Sequence, residues 1–256
     1  MYRNTFLSVM FLACCFNGSL CAQSDAQIYE RTCDAKTYPF SDPSPVATPN
    51  NSYYPYFRFD GFSMQAQEKQ WKMVVLENDY VKLTVTPEIG GKIWGAIDKV
   101  NNKEFVYTNG VVKFRDVAMR GPWTSGGIEF NFGIIGHAPT CSTPIDYLTK
   151  KNVDGSVSCH IFSYEWITRT VWNVEINLPK DKAYFTTHTT WFNQSSIDQP
   201  YYQWMNAGYA TKTGTRFYYP GTYSIGHSGD LHPYPIDEEG RDVSWYDNNN
   251  FGASKS

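Results

Sequence analysis

Between Arg120 and His137 the chain reads RGPWTSGGIEFNFGIIGH, which places a guanidinium, an indole, a carboxylate, an amide and an imidazole in one short run. Glu129 and His137 are the two residues in it that could carry proton-transfer chemistry. A histidine titrates near neutrality, and burial can bring a carboxylate there. Flanked by Ile128, Phe130 and Phe132, Glu129 is expected to be desolvated. That disfavours its ionised form and suits a general acid. His137 would shuttle a proton or bond a hydroxyl. Both also have plain readings: a buried carboxylate tied to backbone amides or to Arg120, and a capped loop histidine. Arg120 offers a planar fork for a carboxylate or a hydroxyl pair, or an ion pair with Glu129 or Asp116. Trp123 offers an apolar face and Asn131 both a donor and an acceptor. Trp204 and Asn206, in QWMNAG, repeat that indole-and-amide combination further along. The ordinary alternatives for these four are core packing and satisfaction of backbone groups.

Such residues need elements to hold them. On a strand, alternate side chains face opposite ways, so Glu129 points away from Ile128 and Phe130. The glycines around it allow sharp turns, which makes the run either a binding or catalytic loop or a tightly packed bend. Two-residue alternation starts at Trp71. Trp71 to Leu76 and Tyr80 to Thr86 read as strands joined across Glu77-Asn78-Asp79, with Val81, Leu83 and Val85 on one face. Pro87 and Gly90-Gly91 interrupt, Lys92 to Asp98 resumes, and Asn101-Asn102 turns into Glu104 to Tyr107. Asp154-Gly155 joins Ile145 to Thr149 with Ser156 to Tyr164 as a hairpin.

Trp166 to Leu178 reads as one long strand, with Trp166, Thr168, Thr170, Trp172, Val174, Ile176 and Leu178 on its buried face. Tyr184 to Phe192 and Tyr201 to Ala210 follow. No helix of ordinary length carries an apolar stripe, so the expected class is all-β, a sandwich of antiparallel sheets. Residues 23 to 70 read as an extended lead-in, a surface strap in which Pro39, Pro43, Pro45, Pro49 and Pro55 forbid helix. Residues 71 to 256 form the sandwich domain. The chain stops at Ser256 without a closing strand, which predicts that the sandwich is incomplete.

The 256 residues carry 22 basic and 25 acidic side chains, a net charge of -3. Without clustered Lys and Arg, nucleic acid is excluded as a partner. The aromatic share of 17%, near the 18% that is charged, suits either platforms for sugar rings or a β-rich core. Residues 1 to 22 have the anatomy of an export signal, with Arg3, an apolar run from Phe6 to Phe16, and Leu20-Cys21-Ala22 before the cleavage point. The run is too short to span a bilayer. Cys14 and Cys15 after Phe11-Leu12-Ala13 leave a lipid anchor open, so the expected location is the periplasm or the cell surface. The chain then keeps Cys33, Cys141 and Cys159, an odd number, and Cys141 with Cys159 is the pair to test. The cysteines lack metal-ligand spacing. His227 and His232 with Asp230 between them occur in a Gly- and Pro-rich loop where such spacings arise by chance. No metal and no cofactor are therefore expected. Neither a nucleotide-binding glycine motif nor a Gly-x-Ser-x-Gly elbow is present.

Residues 77 to 107, ENDYVKLTVTPEIGGKIWGAIDKVNNKEFVY, resemble the opening of galactose mutarotase-like domains. Residues 37 to 256 are similar to an exported bacterial domain of uncharacterised function, often followed by tetratricopeptide repeats. The matching residues are TYPFSDPSP (37 to 45), RGPWTSGGIEFNFGIIGH (120 to 137), TPIDY (143 to 147), QWMNAG (203 to 208) and GRDVSWY (240 to 246). The resemblance implies a galactose mutarotase-like β-supersandwich whose concave face binds carbohydrate, as in epimerases, glycosidases, lyases and binding modules. In the epimerase branch the segment equivalent to Ser125 to Gly133 resembles R-G-G-I-P…W-F-G, but Glu129 stands here where that pattern has proline. A general-acid histidine of that branch falls on the QWMNAG strand, where this chain has Trp204 and Asn206. Its glutamate base would fall beyond Ser256. An epimerase mechanism is thus not carried over.

The expectation is an exported carbohydrate-active protein, glycoside-hydrolase-like, with Glu129 as acid or base and His137 as a further catalytic candidate. Arg120, Trp123, Asn131, Trp204 and Asn206 would contact the sugar. Glycoside hydrolysis needs a second carboxylate, for which Asp146, Asp230, Asp237 and Asp242 are candidates. A noncatalytic carbohydrate-binding module and an inactive fragment of a larger protein are the alternatives, so whether it is an enzyme stays open.

Overall fold

Alternation along Thr170 to Leu178 decides the architecture. Thr170, Trp172, Val174, Ile176 and Leu178 are buried, and the residues between them are half-buried. A strand with one face on a core must show that pattern. The structure is a computed structural model, and it describes residues 24–47, 53–118, 120–133, 136–226 and 228–249. In chain order the strands are β1 (Gln27–Tyr38), β2 (Gln67–Glu77), β3 (Val81–Thr86), β4 (Lys92–Asp98), β5 (Lys103–Val106), β6 (Val112–Lys113), β7 (Arg115–Ala118) and β8 (Gly121–Trp123). They continue with β9 (Ile128–Phe132), β10 (Asp146–Lys151), β11 (Val157–Glu165), β12 (Thr170–Leu178), β13 (Thr186–Asn193), β14 (Gln203–Ala207), β15 (Tyr223–Ile225) and β16 (Leu231–Pro233). Short 3-10 turns occupy Pro87–Ile89, Pro139–Ser142 and Tyr246–Asn248.

One sheet has the order β14-β9-β4-β3-β2-β1-β6, with β5 also on β4, and a second has the order β10-β11-β12-β13. Their facing sides make the core. Leu76, Leu83, Ile93, Phe130 and Phe132 from the larger sheet share one buried cluster with Val157, Cys159, Ile161, Val174 and Ile176 from the smaller. Phe132 stacks on Trp172 with ring centroids 4.4 Å apart. The outer side of the larger sheet carries a second cluster of Trp71, Met73, Ile89, Trp94, Val112 and Phe114. The all-β expectation therefore holds, with strands covered on both faces in the middle of the larger sheet.

Several expectations need correction. The lead-in contains β1, which pairs antiparallel with β2 from Gln27 opposite Glu77 to Thr37 opposite Gln67. Its side chains are mostly exposed, so it shows little of the apolar alternation that marks a strand in sequence; its pairing is a backbone matter. Trp166 to Leu178 is not one strand. Residues 166 to 169 form the turn of the β11–β12 hairpin, with Arg169 at a φ of 56° and Trp166 67% exposed. The last strand of the larger sheet is shorter than Tyr201 to Ala210. Cys141 and Cys159 are not bonded; they and Cys33 are free thiols. Cys159 faces the inter-sheet core, whereas Cys141 reaches Asn131 on the opposite side of β9, so a sheet separates them. The expected export signal, Cys14, Cys15, His227 and the final residues from Asn250 lie outside the described residues. Among the described residues no helix is long and apolar enough to cross a membrane.

Candidate functional site

The site is built on the outer face of three adjacent strands. Gly127 has a φ of +67° and its backbone lies against the Ile93 carbonyl, where a Cβ would collide. That close approach starts β9 beside β4, with Ile128 opposite Ile93. Period-2 alternation then sends Ile128, Phe130 and Phe132 into the core and Glu129 and Asn131 outward. The antiparallel register brings Lys92 next to Glu129 from β4. On the other side β14 sets Asn206 opposite Glu129 and Trp204 opposite Asn131. Gly133, at a φ of +91°, turns the chain back against Glu165, and the returning segment lays His137 and then Cys141 over the same face.

Glu129 is the hub. Its Oε1 lies 2.5 Å from His137 Nδ1 and accepts from Asn131 Nδ2 at 2.8 Å, with Asn206 Nδ2 farther off at 3.5 Å. An ionised carboxylate only accepts, so the Nδ1 of His137 is the donor in this bond. Asn131 is a clamp, since its Oδ1 accepts the Ala138 N–H at 2.9 Å and the Cys141 thiol at 3.1 Å. Lys92, 2% exposed, donates from Nζ to the Thr124 carbonyl at 2.5 Å and to its hydroxyl at 3.1 Å. The His137 ring centroid is 5.6 Å from that of Trp123 and 4.6 Å from that of Trp204. Three polar atoms here are sealed from water and make no hydrogen bond among the described residues: Trp123 Nε1, Trp204 Nε1 and Glu129 Oε2. Each such atom costs about 1–3 kcal/mol if left unpaired.

The electrostatics reverse one expectation. Burial pushes the Glu129 carboxyl up, but the His137 and Asn131 hydrogen bonds and the His137 and Lys92 charges outweigh it and hold the group below the usual carboxylate range. Its apolar sequence neighbours face the other side of the sheet. Glu129 is accordingly an ionised acceptor at neutral pH and not a ready acid. Burial lowers the Lys92 ammonium to about 8, with Glu129 opposing the shift. Burial and the neighbouring Glu129 charge raise the Cys141 thiol well above its ordinary value, which keeps it protonated.

Of the residues singled out in sequence, Trp123, Glu129, Asn131, His137, Trp204 and Asn206 converge. Arg120 does not contact a ligand face: it is 2% exposed and bonded to Glu165 at 2.6 Å, which also takes the Thr168 backbone and hydroxyl. Asn131 is engaged at both ends of its amide by the clamp. Asp237 is held by Arg241, Asp242 by Ser244 and Arg216, and among the described residues none of the four candidate aspartates contacts Glu129. Lys92, Thr124 and Glu165 were not anticipated, and Cys141 was singled out only for a disulfide. Lys92 had a signal, since parity along β4 puts it on the face of Trp94 and away from Ile93. Grooves beside Phe40 and Trp71, and beside Tyr164 and Arg169, touch none of the site residues.

A family model described as a domain of unknown function, DUF5107, matches residues 48–256. The chain belongs to that family. The DUF5107 chain is also similar to a solved structure, a TPR-domain containing protein from Parabacteroides distasonis, with a TM-score of 0.75 and 25% identity over 87% of this chain. It spans 38% of that protein's length. The expected relation to an uncharacterised domain found beside tetratricopeptide repeats is met at this level.

Proposed function

We propose that this is an exported carbohydrate-active protein that binds a glycan across Trp123, His137 and Trp204, with the Glu129–His137 pair as its proton acceptor. The observation that carries the reading is the arrangement of that pair between two indoles. The His137 side chain is 19% exposed and that of Glu129 4%, so the imidazole is the part of the pair that reaches solvent. Indole faces match the apolar C–H faces of sugar rings, and a neutral His137 ring accepts a hydroxyl proton at Nε2. The sequence resemblance to galactose mutarotase-like domains supports the same reading, and residues 1 to 22 support export. In a longer natural protein a tetratricopeptide-repeat segment would follow.

A second reading, a noncatalytic carbohydrate-binding module, is favoured by one observation: Glu129 is held as a hydrogen-bonded acceptor below the usual carboxylate range, whereas glycoside hydrolysis ordinarily needs a carboxyl group that donates a proton. A glycan array followed by hydrolysis assays on the full chain decides between them. If the enzyme reading holds, Glu129→Gln lowers turnover about 10²–10⁴-fold with affinity little changed. Binding without turnover, lost in Trp204→Ala and kept in Glu129→Gln, selects the module. A panel on which nothing binds defeats both.

A further inference from the structure

We propose that Glu129, His137 and Cys141 form a site for one zinc-type divalent ion. The ligand atoms of these residues, a carboxylate oxygen, an imidazole nitrogen and a sulfur, all lie within 4.8 Å of one another. Zinc takes that mixture of donors, while calcium and magnesium demand oxygen alone. The second observation is the sealed Glu129 Oε2, which makes no hydrogen bond among the described residues. A sugar ring cannot enter a spot closed to water without the strands moving apart, but a bare cation has the size to meet a buried carboxylate oxygen that has no donor beside it.

The surroundings fit an ion. Asn131 donates its amide N–H to Glu129 Oε1, which aims that ligand, and in the empty site its carbonyl accepts the Cys141 thiol and so holds the sulfur on the same face until the S–H proton leaves. That is the outer-layer orientation metal sites use. Lys92 is the opposing charge, and its ammonium is bonded to the Thr124 carbonyl. Carboxylate and thiolate together cancel a dication, so the loaded site is neutral; the empty one carries the Glu129 charge, and Lys92, tied to Thr124, has one added positive charge to tolerate. A tetrahedral shell with bonds of about 2.0–2.3 Å spaces its ligands about 3.5 Å apart, so closing the site takes a shift of about 1 Å, which the half-buried His137 ring can make. On binding, the Cys141 S–H bond breaks, its proton goes to solvent and the sulfur lone pair binds the ion; no electron is transferred. His137 ligates through a lone pair of the neutral ring. Three protein ligands leave a fourth position for water or substrate, as in catalytic zinc centres. Spacing among the cysteines alone could not reveal this set, because it joins a strand, a returning loop and a 3-10 turn.

The site shares Glu129 and His137 with the glycan reading, but its test uses the metal alone and no sugar, so either reading can fail while the other stands. Strip the full chain with chelator and titrate it with Co²⁺. The expected result is one ion per chain, with the visible bands of four-coordinate cobalt and a thiolate-to-cobalt charge-transfer band, both abolished by Zn²⁺. Cys141→Ser loses the charge-transfer band and weakens binding beyond the roughly 10–100-fold that loss of an outer partner brings. Cys159→Ser changes nothing. A wild-type spectrum without the sulfur band, or a band that survives in Cys141→Ser, overturns the proposal. Should Cys141→Ser fail to fold, X-ray absorption on the zinc-loaded wild type decides: one sulfur ligand supports the site, and a shell without sulfur overturns it.

Discussion

Arg120 and Glu165 show how far a single residue's meaning depends on what the fold brings to it. Sequence offered Glu129 or Asp116 as the partner, and the fold supplied Glu165, which lies on the smaller sheet next to the β11–β12 turn. Both members are buried, so removing one strands the other charge. Arg120→Met should destabilise the protein by about 3–5 kcal/mol, read from urea unfolding midpoints. The pH dependence has a definite sign. Burial raises the Glu165 carboxyl, but the Thr168 N–H, the Arg120 bond and the Thr168 hydroxyl outweigh it and leave the group below its ordinary value. A depressed carboxylate stabilises the fold above the unfolded value of about 4.3, and that contribution disappears as pH falls through the lower folded value. Arg120→Met should therefore flatten the acid limb of the stability curve below about pH 4.5, and an unchanged limb would rule this assignment out. Glu129 was legible in sequence because alternation fixes which way a strand residue points. His137 was legible as well, from its place at the end of the same run, but Lys92 and Cys141 were not, since one comes from the neighbouring strand and the other from the 3-10 turn that folds back over the sheet.

At the scale of elements, strands with one dry face announced themselves and strands without one did not. β12 was readable from Thr170 onward, yet its pattern ran on falsely through Trp166 and Thr168. Those positions keep the right parity by accident: Thr168 is buried because it caps Glu165, and Trp166 rests against Tyr164 at a ring distance of 5.1 Å. The hairpin is forced by pairing, since Glu165 opposite Thr170 leaves residues 166 to 169 to turn. Two tryptophans on what reads as one face should then behave oppositely. Trp172→Ala, which empties a fully buried site stacked on Phe132, should cost about 3–5 kcal/mol in chemical unfolding. Trp166→Ala should cost less than about 1 kcal/mol. Equal losses would restore the single long strand.

For the whole molecule, the boundary of the family match and the boundary of the sheet differ. The match begins at residue 48, but β1 ends at Tyr38 and is hydrogen-bonded along nearly its full length to β2. Within the sheet β1 covers the edge of β2, and it also contributes to both cores: Ile28 packs on the inter-sheet cluster, and Cys33 and Ala35 pack on the outer one around Trp71. A chain of residues 48–256 would leave β2 as an open edge carrying Val74, Val75 and Leu76, the kind of unprotected apolar strand that invites pairing between molecules. It would also lose the parallel support that β1 gives β6 through Thr37 and Tyr38. In a domain of this size 1 kcal/mol is about 2–4 °C, and a lost strand removes several kcal/mol. Residues 48–256 should accordingly melt at least about 10 °C below the chain from residue 24, and should form larger species on size-exclusion chromatography. Matching melting temperatures and a monomeric profile would mean that β1 is the loose strap its polar sequence suggests, and that the family boundary is the structural one as well.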